Sequence, residues 1–185
     1  SVIPKPGNYI VFFPSFRYME TCAELFRRHY PAIPLHVQGA AMTPQERQAF
    51  LERFETFGEM QLHFCVLGGM FAEGIDFSGE RLIGTIIIGV GLPMINPESD
   101  FVKEHFDAQG KPGYHFAYTF PGMNKVLQAA GRVIRTQEDK GVVLLLDDRF
   151  AQSEYARLFP KHWRHLEYLR DTEELKKKLE DFWKG

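Results

Sequence analysis

Residues 82–90 read Leu-Ile-Gly-Thr-Ile-Ile-Ile-Gly-Val, and this apolar run decides the fold class. Its three consecutive isoleucines, Ile86, Ile87 and Ile88, show no alternation between apolar and polar side chains. A strand without that alternation is typical of a parallel sheet that is buried on both faces. The run therefore predicts a central parallel strand with helices packed on either side of it.

Further short runs extend the same pattern along the chain. Strands are predicted at residues 9–13, 33–37, 61–67 and 141–147, separated by segments with helical spacing or helix caps. Thr43-Pro44-Gln45-Glu46 has the residues of a capping box, with proline at the first helical position, and predicts a helix over residues 44–57. Strands that alternate with helices indicate an α/β fold with a mainly parallel sheet.

The remaining segments are less regular. Residues 93–112 are predicted to be helical, whereas the aromatic residues 114–120 fit a helix or a strand. From residue 160 onward, apolar residues among charges predict surface helices, and we expect residues 151–185 to pack on the domain as C-terminal helices. Since there is no internal repeat or low-complexity linker, residues 1–185 are predicted to form a single domain.

The composition restricts the classes of function. Hydrophobic residues make up 44% of the chain and charged residues 25%, which suits one buried core. The net charge is −2, so any binding to nucleic acid must depend on local basic patches. The spacing of Cys22 and Cys65 indicates neither a disulfide nor a metal site, which favours a reducing, cytoplasmic location. No apolar run is long enough to predict a membrane-spanning helix.

A first candidate for chemistry is the apolar run at residues 142–146, which ends in Asp147 and Asp148. Such a strand can hold magnesium in a nucleotide hydrolase. The chain has no phosphate-binding loop of the form G-x-x-x-x-G-K-[ST], however, and acids at the end of a strand are common helix caps. We therefore prefer the capping interpretation, and an independent nucleotide hydrolase remains an alternative.

A second candidate is the glycine-rich segment at residues 68–79, which follows the third predicted strand. Glycines allow backbone amides to approach a ligand closely, and Glu73 and Asp76 can accept hydrogen bonds from sugar hydroxyls or from arginines. Taken alone, the segment fits a loop with several tight turns equally well.

The third candidate is Gln-Ala-Ala-Gly-Arg-Val-Ile-Arg at residues 128–135. Helical spacing predicts one shared face for four of these residues: Gln128, Gly131, Arg132 and Arg135. Two arginines beside a glycine suit phosphate oxygens, because guanidinium groups bind them bidentately. Taken alone, the segment fits a solvated helix face better.

Together these segments resemble the motifs of superfamily 2 DNA helicases of the DinG and XPD type, and the DinG-like group most. Residues 11–16 resemble motif IV, residues 68–84 with the following residues 89–93 resemble motif V, and residues 128–135 resemble motif VI. The three motifs occur in the family's order. The resemblance implies a RecA-like three-layer domain, the second of the two such domains in these helicases.

The resemblance also implies that ATP with Mg²⁺ binds between the two domains. The first domain, which is not in this chain, would supply the phosphate loop and the magnesium-binding acids, and in this family it commonly carries a 4Fe-4S cluster. No metal site is expected in this chain. Carried over by motif, the catalytic residues are the arginine finger Arg135 and its neighbour Arg132, and the nucleotide site contains Gln128, Gly131, Glu73, Gly74 and Asp76.

For nucleic acid, the resemblance implies a single DNA strand that crosses both domains. Ser15, Phe16 and Arg17 open a predicted helix, where free amides and the helix dipole can hold a backbone phosphate. Gln38 and Gly39 are the second expected contact. Ser15 also fits a plain N-cap, which does not exclude a contact with DNA.

The sequence thus predicts the second motor domain of an ATP-dependent DNA helicase in DNA repair or replication. Its expected partners are single-stranded DNA and the first RecA-like domain of the same polypeptide, and the 5′ to 3′ polarity is implied by the resemblance alone. We expect the isolated chain to be inactive. The alternative is a nucleic-acid-binding or regulatory module that keeps the helicase fold without motor activity.

Overall fold

The computed structural model describes residues 5–72, 81–133, 140–163 and 165–185. These residues include five strands: β1 (Asn8–Phe13), β2 (Leu35–Val37), β3 (Gln61–Val66), β4 (Gly84–Ile88) and β5 (Val142–Leu146). They form one sheet in the order β2-β3-β1-β4-β5, and every neighbouring pair is parallel. The predicted parallel sheet is confirmed, with strand ends that differ from the predicted ones by a few residues.

The helices of the described residues lie between and after these strands. They are α1 (Phe16–His29), α2 (Pro44–Glu52), α3 (Pro97–Ala108), α4 (Phe120–Ala130), α5 (Ser153–Ala156) and α6 (Thr172–Lys184). A π-helical turn at His115–Thr119 leads into α4, so the ambiguous aromatic segment is helical. A 3-10 turn, Asp148–Ala151, follows β5.

Helix α2 begins as its capping box predicts. The Thr43 side chain accepts a hydrogen bond from Glu46 N, and a Glu46 carboxylate oxygen accepts one from Thr43 N at 2.7 Å. The α-helix ends at Glu52, earlier than predicted, and continues as a 3-10 turn to Glu55. The reason is tertiary: the carbonyls of Phe54 and Thr56 accept hydrogen bonds from Asn8 Nδ2, at 3.0 and 3.1 Å.

Helices cover both faces of the sheet, as expected of a three-layer domain. On one face α2 and α4 pack against inward residues of the strands, in a core that includes Ile10, Phe12, Phe50, Cys65, Ile87, Met123 and Val126. On the other face α1 and the end of α6 pack in a core that includes Tyr9, Val11, Phe13, Met19, Ala23, Phe64 and Trp183. Apolar burial in these two layers is the main force that holds the domain together.

Burial of the isoleucine run is uneven. Ile87 is fully buried, but Ile86 and Ile88 are only half-buried, and their neighbour Leu146 is 49% exposed. Helix α1 packs over β1, β2 and β3, which leaves the β4–β5 half of that face less covered. The expectation that the whole run is buried on both faces is therefore wrong for two of its three isoleucines.

The C-terminal segment contains less helix than predicted. Helix α5 is a single turn, and the long surface helix begins at Thr172 and not near residue 160. Between the two, Trp163 packs on the core and the Tyr168 hydroxyl donates to the Phe150 carbonyl at 3.2 Å. These tertiary contacts hold the intervening chain in turns although its apolar spacing suits a helix.

Parallel pairing places the carboxyl ends of all five strands at the same edge of the sheet. The chain leaves β1 through α1 toward β2 on one side, and leaves β4 through α3 and α4 toward β5 on the other. The direction of winding therefore reverses between β1 and β4. In open α/β sheets, ligands bind in the crevice at such a reversal, outside the carboxyl ends of the strands.

A buried histidine lies at the opposite end of the sheet. His63 is 0% exposed, its ring stacks on Phe54 at a centroid distance of 3.6 Å, and its Nε2 lies 3.0 Å from Asn8 Oδ1. Because Asn8 Nδ2 donates to two backbone carbonyls, Asn8 Oδ1 is the acceptor and Nε2 of His63 carries the proton. Burial, with smaller contributions from His36 and Arg53, lowers the pKa of His63 to about 2.

We expect acid to destabilise the fold through His63. Its pKa is 6.5 when unfolded and about 2 when folded, so the unfolded chain takes up the proton first. The contribution of His63 to the free energy of unfolding should be constant above about pH 6.5. Below that pH the free energy of unfolding should fall by about 1.4 kcal/mol per pH unit. Urea denaturation of the 185-residue chain at several pH values measures this slope. A His63→Phe variant should be less stable, because Asn8 Oδ1 loses its donor, but it should have a shallower slope. Equal slopes would contradict the prediction.

Candidate functional site

The start of α1 is built as a helix N-terminus that is open to solvent. Ser15 is the N-cap: its side chain accepts from Tyr18 N at 3.3 Å and its carbonyl accepts from Met19 N at 3.0 Å. The first turn has no acidic residue, and Ser15 and Arg17 are both exposed. The capping interpretation of Ser15 is confirmed. The contacts predicted between DNA and Ser15, Phe16 and Arg17 remain predictions, and this positive helix end is compatible with them.

Gln38 is buried, unlike a residue that makes an ordinary surface contact with DNA. It is 4% exposed, its backbone N donates to Phe64 O, and its side-chain Oε1 accepts from Val66 N, both at 2.9 Å. The residue therefore joins the carboxyl ends of β2 and β3. Gly39 beside it is exposed, so the backbone there is the accessible part of this predicted DNA contact.

The described part of the glycine-rich segment runs from Gly68 to Ala72. Gly68 has a φ of +74°, and a Cβ at this position would lie 2.9 Å from Lys125 Cδ. Lys125 therefore lays its aliphatic stem across the glycine and brings a positive charge to the loop. Lys125 is not among the predicted site residues, although it lies three residues before Gln128 on the same helix and so shares its face.

Helix α4 ends before the two arginines of motif VI. Its last helical residue is Ala130, Gly131 is the C-cap, and Arg132 lies in the following turn. Gln128 and Gly131 are exposed. The expectation of one shared helix face is wrong for Gly131 and Arg132, because α4 ends at Ala130 and both residues lie beyond it. Arg135 lies outside the described residues.

Arg132 joins motif VI to the glycine-rich segment. Its Nε donates a hydrogen bond to the carbonyl of Ala72 at 3.0 Å. Ala72 directly precedes the predicted nucleotide residues Glu73, Gly74 and Asp76, which lie outside the described residues, as does Arg135. The structure therefore brings the described parts of these two motifs together.

Asp147, the first acid after β5, has a structural role. Asp147 caps the 3-10 turn by accepting from Arg149 N at 3.0 Å. Its Oδ1 and Oδ2 also accept from Nε and Nη2 of Arg149, at 2.9 and 2.7 Å. Hydrogen bonds from Arg149 lower the pKa of the Asp147 carboxyl, so the pair is ionised at neutral pH. The capping interpretation is confirmed for Asp147, and both of its carboxylate oxygens accept hydrogen bonds from Arg149.

Two glycines fix where α4 begins. Gly91 has a φ of +65°, and a Cβ on it would lie 2.9 Å from Gly122 O. A Cβ on Gly122 would in turn lie 2.7 Å from Val90 O. The N-terminal turn of α4 therefore rests directly on the backbone of the loop after β4. This contact places the opposite end of the helix, and with it Arg132, against Ala72.

Two properties of the described residues, 5–72, 81–133, 140–163 and 165–185, concern metal binding and membrane insertion. In those ranges, no three His, Cys, Asp or Glu side chains lie close enough together to hold a metal ion. In the same part of the chain, no helix combines the length and apolar character that crossing a membrane requires.

Comparison with known proteins defines the class. A family model described as the helicase C-terminal domain matches residues 1–166, and the chain belongs to this family. A probable ATP-dependent helicase of Methanocaldococcus jannaschii is 33% identical over 159 residues, which cover 78% of this chain and 24% of that protein. The helicase subunit XPD/RAD3 of general transcription and DNA repair factor IIH, from Saccharomyces cerevisiae, is 28% identical over 158 residues. These residues cover 80% of this chain and 20% of that protein.

Solved structures agree on the fold. An apo XPD structure matches 82% of this chain and 30% of its own length, with a TM-score of 0.64 and 22% identity. The C-terminal domain of the DEAD-box protein Dbp5 matches 97% of this chain and 84% of its own, with a TM-score of 0.55 and 15% identity. The RecA-like fold and the resemblance to helicases of the DinG and XPD type are confirmed. The chain spans about a quarter or less of the curated relatives named above.

We expect Gly122→Ala to destabilise the domain by about 1–3 kcal/mol, because the added methyl group forces α4 away from the Val90 carbonyl. The midpoint of urea denaturation measures the loss. Asn124→Ala, on the exposed side of the same helix, is the matched control and should not destabilise the domain. Equal midpoints for the two variants would contradict the close backbone contact.

Proposed function

We propose that this chain is the second motor domain of an ATP-dependent DNA helicase and that it acts in DNA repair or replication. The observation that carries the proposal is the hydrogen bond from Arg132 to Ala72, which joins the motif VI turn to the start of the glycine-rich segment. Membership of the helicase C-terminal domain family supports it. The polarity, 5′ to 3′, is inferred from the resemblance of the motifs alone.

On the nucleotide side, we infer that ATP with Mg²⁺ binds in a cleft between this domain and a first RecA-like domain of the same polypeptide. Arg135 is the proposed arginine finger, and Arg132, which is bound to Ala72, is its proposed neighbour in the cleft. Gln128 and Gly131, both exposed beside that turn, are proposed to line the cleft with Glu73, Gly74 and Asp76. A permanently charged arginine suits this role, because phosphoryl transfer spreads negative charge over the transferred group. A 4Fe-4S cluster, if the whole protein has one, would belong to the first domain.

On the nucleic-acid side, single-stranded DNA is proposed to cross the carboxyl edge of the sheet. Ser15, Phe16 and Arg17 would hold one backbone phosphate at the α1 N-terminus, and Gly39 beside Gln38 would hold a second. Closure of the cleft on ATP would move these contacts relative to those of the first domain. Alternate grip and release would then move the strand.

A cytoplasmic location stays a prediction from the sequence.

We expect Arg135→Ala in the full-length gene product to lower DNA-stimulated ATP hydrolysis by about 10³- to 10⁵-fold, since an arginine finger contributes a factor of this size. Binding to single-stranded DNA should persist. Arg28→Ala, an exposed arginine in the last turn of α1, is the matched control and should hydrolyse ATP at the wild-type rate. Wild-type turnover by the Arg135 variant would contradict the assignment.

Arg17→Ala should weaken binding to single-stranded DNA and reduce its salt dependence. Each phosphate neutralised on a single strand contributes about 0.7 to the slope of log K against log salt concentration. We therefore expect the magnitude of the slope to fall by about 0.7 when Arg17 is removed. Titrations of a labelled oligonucleotide at several salt concentrations measure it. Arg27→Ala, at the other end of α1, should keep the wild-type slope.

The alternative is a module that keeps the helicase fold without motor activity. It predicts that the full-length protein binds nucleic acid and hydrolyses no ATP. Wild-type ATP hydrolysis therefore separates the two functions before any variant is made.

A further inference from the structure

A cavity of about 370 Å³ opens at the carboxyl ends of β1, β4 and β5. Its wall is formed by Pro14, Tyr18, residues 88–92, Leu146, Asp147 and Arg149. The volume falls within the range of small-ligand sites, and the position is the reversal of winding between β1 and β4, where open α/β sheets bind ligands. Pro14 and residues 89–92 of its wall belong to the motif IV and motif V segments, but none of the residues assigned above to ATP or to DNA lines it.

Much of the wall is apolar and includes one aromatic platform. Pro14, Ile88 and Leu146 provide aliphatic surface, and Leu146 is 49% exposed. Tyr18 is 47% exposed, and its ring lies perpendicular to the ring of the buried Phe13, with centroids 6.0 Å apart. This packing fixes the orientation of the Tyr18 ring while leaving about half of the side chain accessible to a ligand.

The polar part of the wall is an ion pair with little net charge. Nε and Nη2 of Arg149 donate to the two oxygens of Asp147, so two of the five guanidinium N–H groups are used in this pair. The Arg149 side chain is 39% exposed and can donate further hydrogen bonds. The ionised carboxylate of Asp147 opposes the entry of an anion. The cavity therefore suits a neutral group that accepts hydrogen bonds better than it suits a phosphate.

We propose that this cavity binds one nucleobase of the single strand, stacked on Tyr18 and hydrogen-bonded by Arg149. A nucleobase is a flat, neutral heteroaromatic ring with hydrogen-bond acceptors on its edge, which is the chemistry that the wall provides. Tyr18 and Arg17 are consecutive in the first turn of α1, so a phosphate held at Arg17 places its own base near the cavity. The inference rests on the proposed function, because it assumes that a DNA strand crosses this edge.

The test compares two oligonucleotides of equal length, an oligo-dT and an abasic strand with the same phosphates, both carrying a fluorescent label. Fluorescence anisotropy with the full-length gene product measures their affinities. Tyr18→Ala should weaken binding to oligo-dT by about 5- to 150-fold, the range found for removal of one stacking platform. Binding to the abasic strand should not weaken, because the lost contact is to a base.

Further variants separate stacking from other effects. Tyr18→Phe keeps the ring and should restore the preference for oligo-dT over the abasic strand. Arg149→Lys loses the planar fork and should reduce the same preference while keeping the charge. Tyr30→Ala removes an exposed aromatic residue at the opposite end of α1 and is the matched control.

The outcomes also separate this inference from the proposed function. If the wild-type protein hydrolyses ATP and prefers oligo-dT, and Tyr18→Ala keeps that preference in full, the nucleobase site is overturned and the motor assignment stands. The cavity would then suit an apolar side chain of a protein segment. If the wild-type protein binds neither oligonucleotide, the nucleic-acid part of the proposed function fails with it.

Discussion

The parallel pairing of β1 with a strand on each side is the constraint on which the rest of the structure depends. All six residues of β1 are buried, and the strand is hydrogen-bonded to β3 on one side and to β4 on the other. This central strand aligns the carboxyl ends of its neighbours at one edge. The N-terminus of α1, the glycine-rich segment, the loop after β4 and the cap at Asp147 are all brought to that edge by the register of the sheet.

Features set by local sequence could be predicted. The isoleucine run and its counterparts predicted a parallel sheet, the Thr43–Glu46 capping box predicted the start of α2, and Asp147 was expected to cap the turn after β5. Each depends on residues within one turn or one strand of each other. The family resemblance depends on three motifs in order. It adds the three-layer RecA-like fold and the roles of individual residues, which local sequence rules leave open.

Features set by distant contacts could not be predicted in this way. The early end of α2 depends on Asn8, which lies 46 residues from Phe54, and the half-exposure of Ile88 depends on where α1 packs. The contact of Arg132 with Ala72 spans 60 residues, and the sequence offered only the helical spacing of motif VI as a guide. Near-neutral overall charge, in contrast, remained informative: it confines candidate DNA contacts to a few side chains, of which Arg17 is the one that the structure describes at an open helix end.

The backbone contact between Gly91 and Gly122 has a mechanical consequence. Side chains normally form a compliant layer between a helix and the loop beneath it, and here that layer is missing. Helix α4 has 11 residues and is therefore about 16 Å long. Its N-terminal turn moves with the loop after β4, which lines the cavity at the sheet edge, and its C-terminal end carries the turn of Arg132. The helix is thus a rigid connection between two different candidate sites, so a displacement at one site is transmitted to the other.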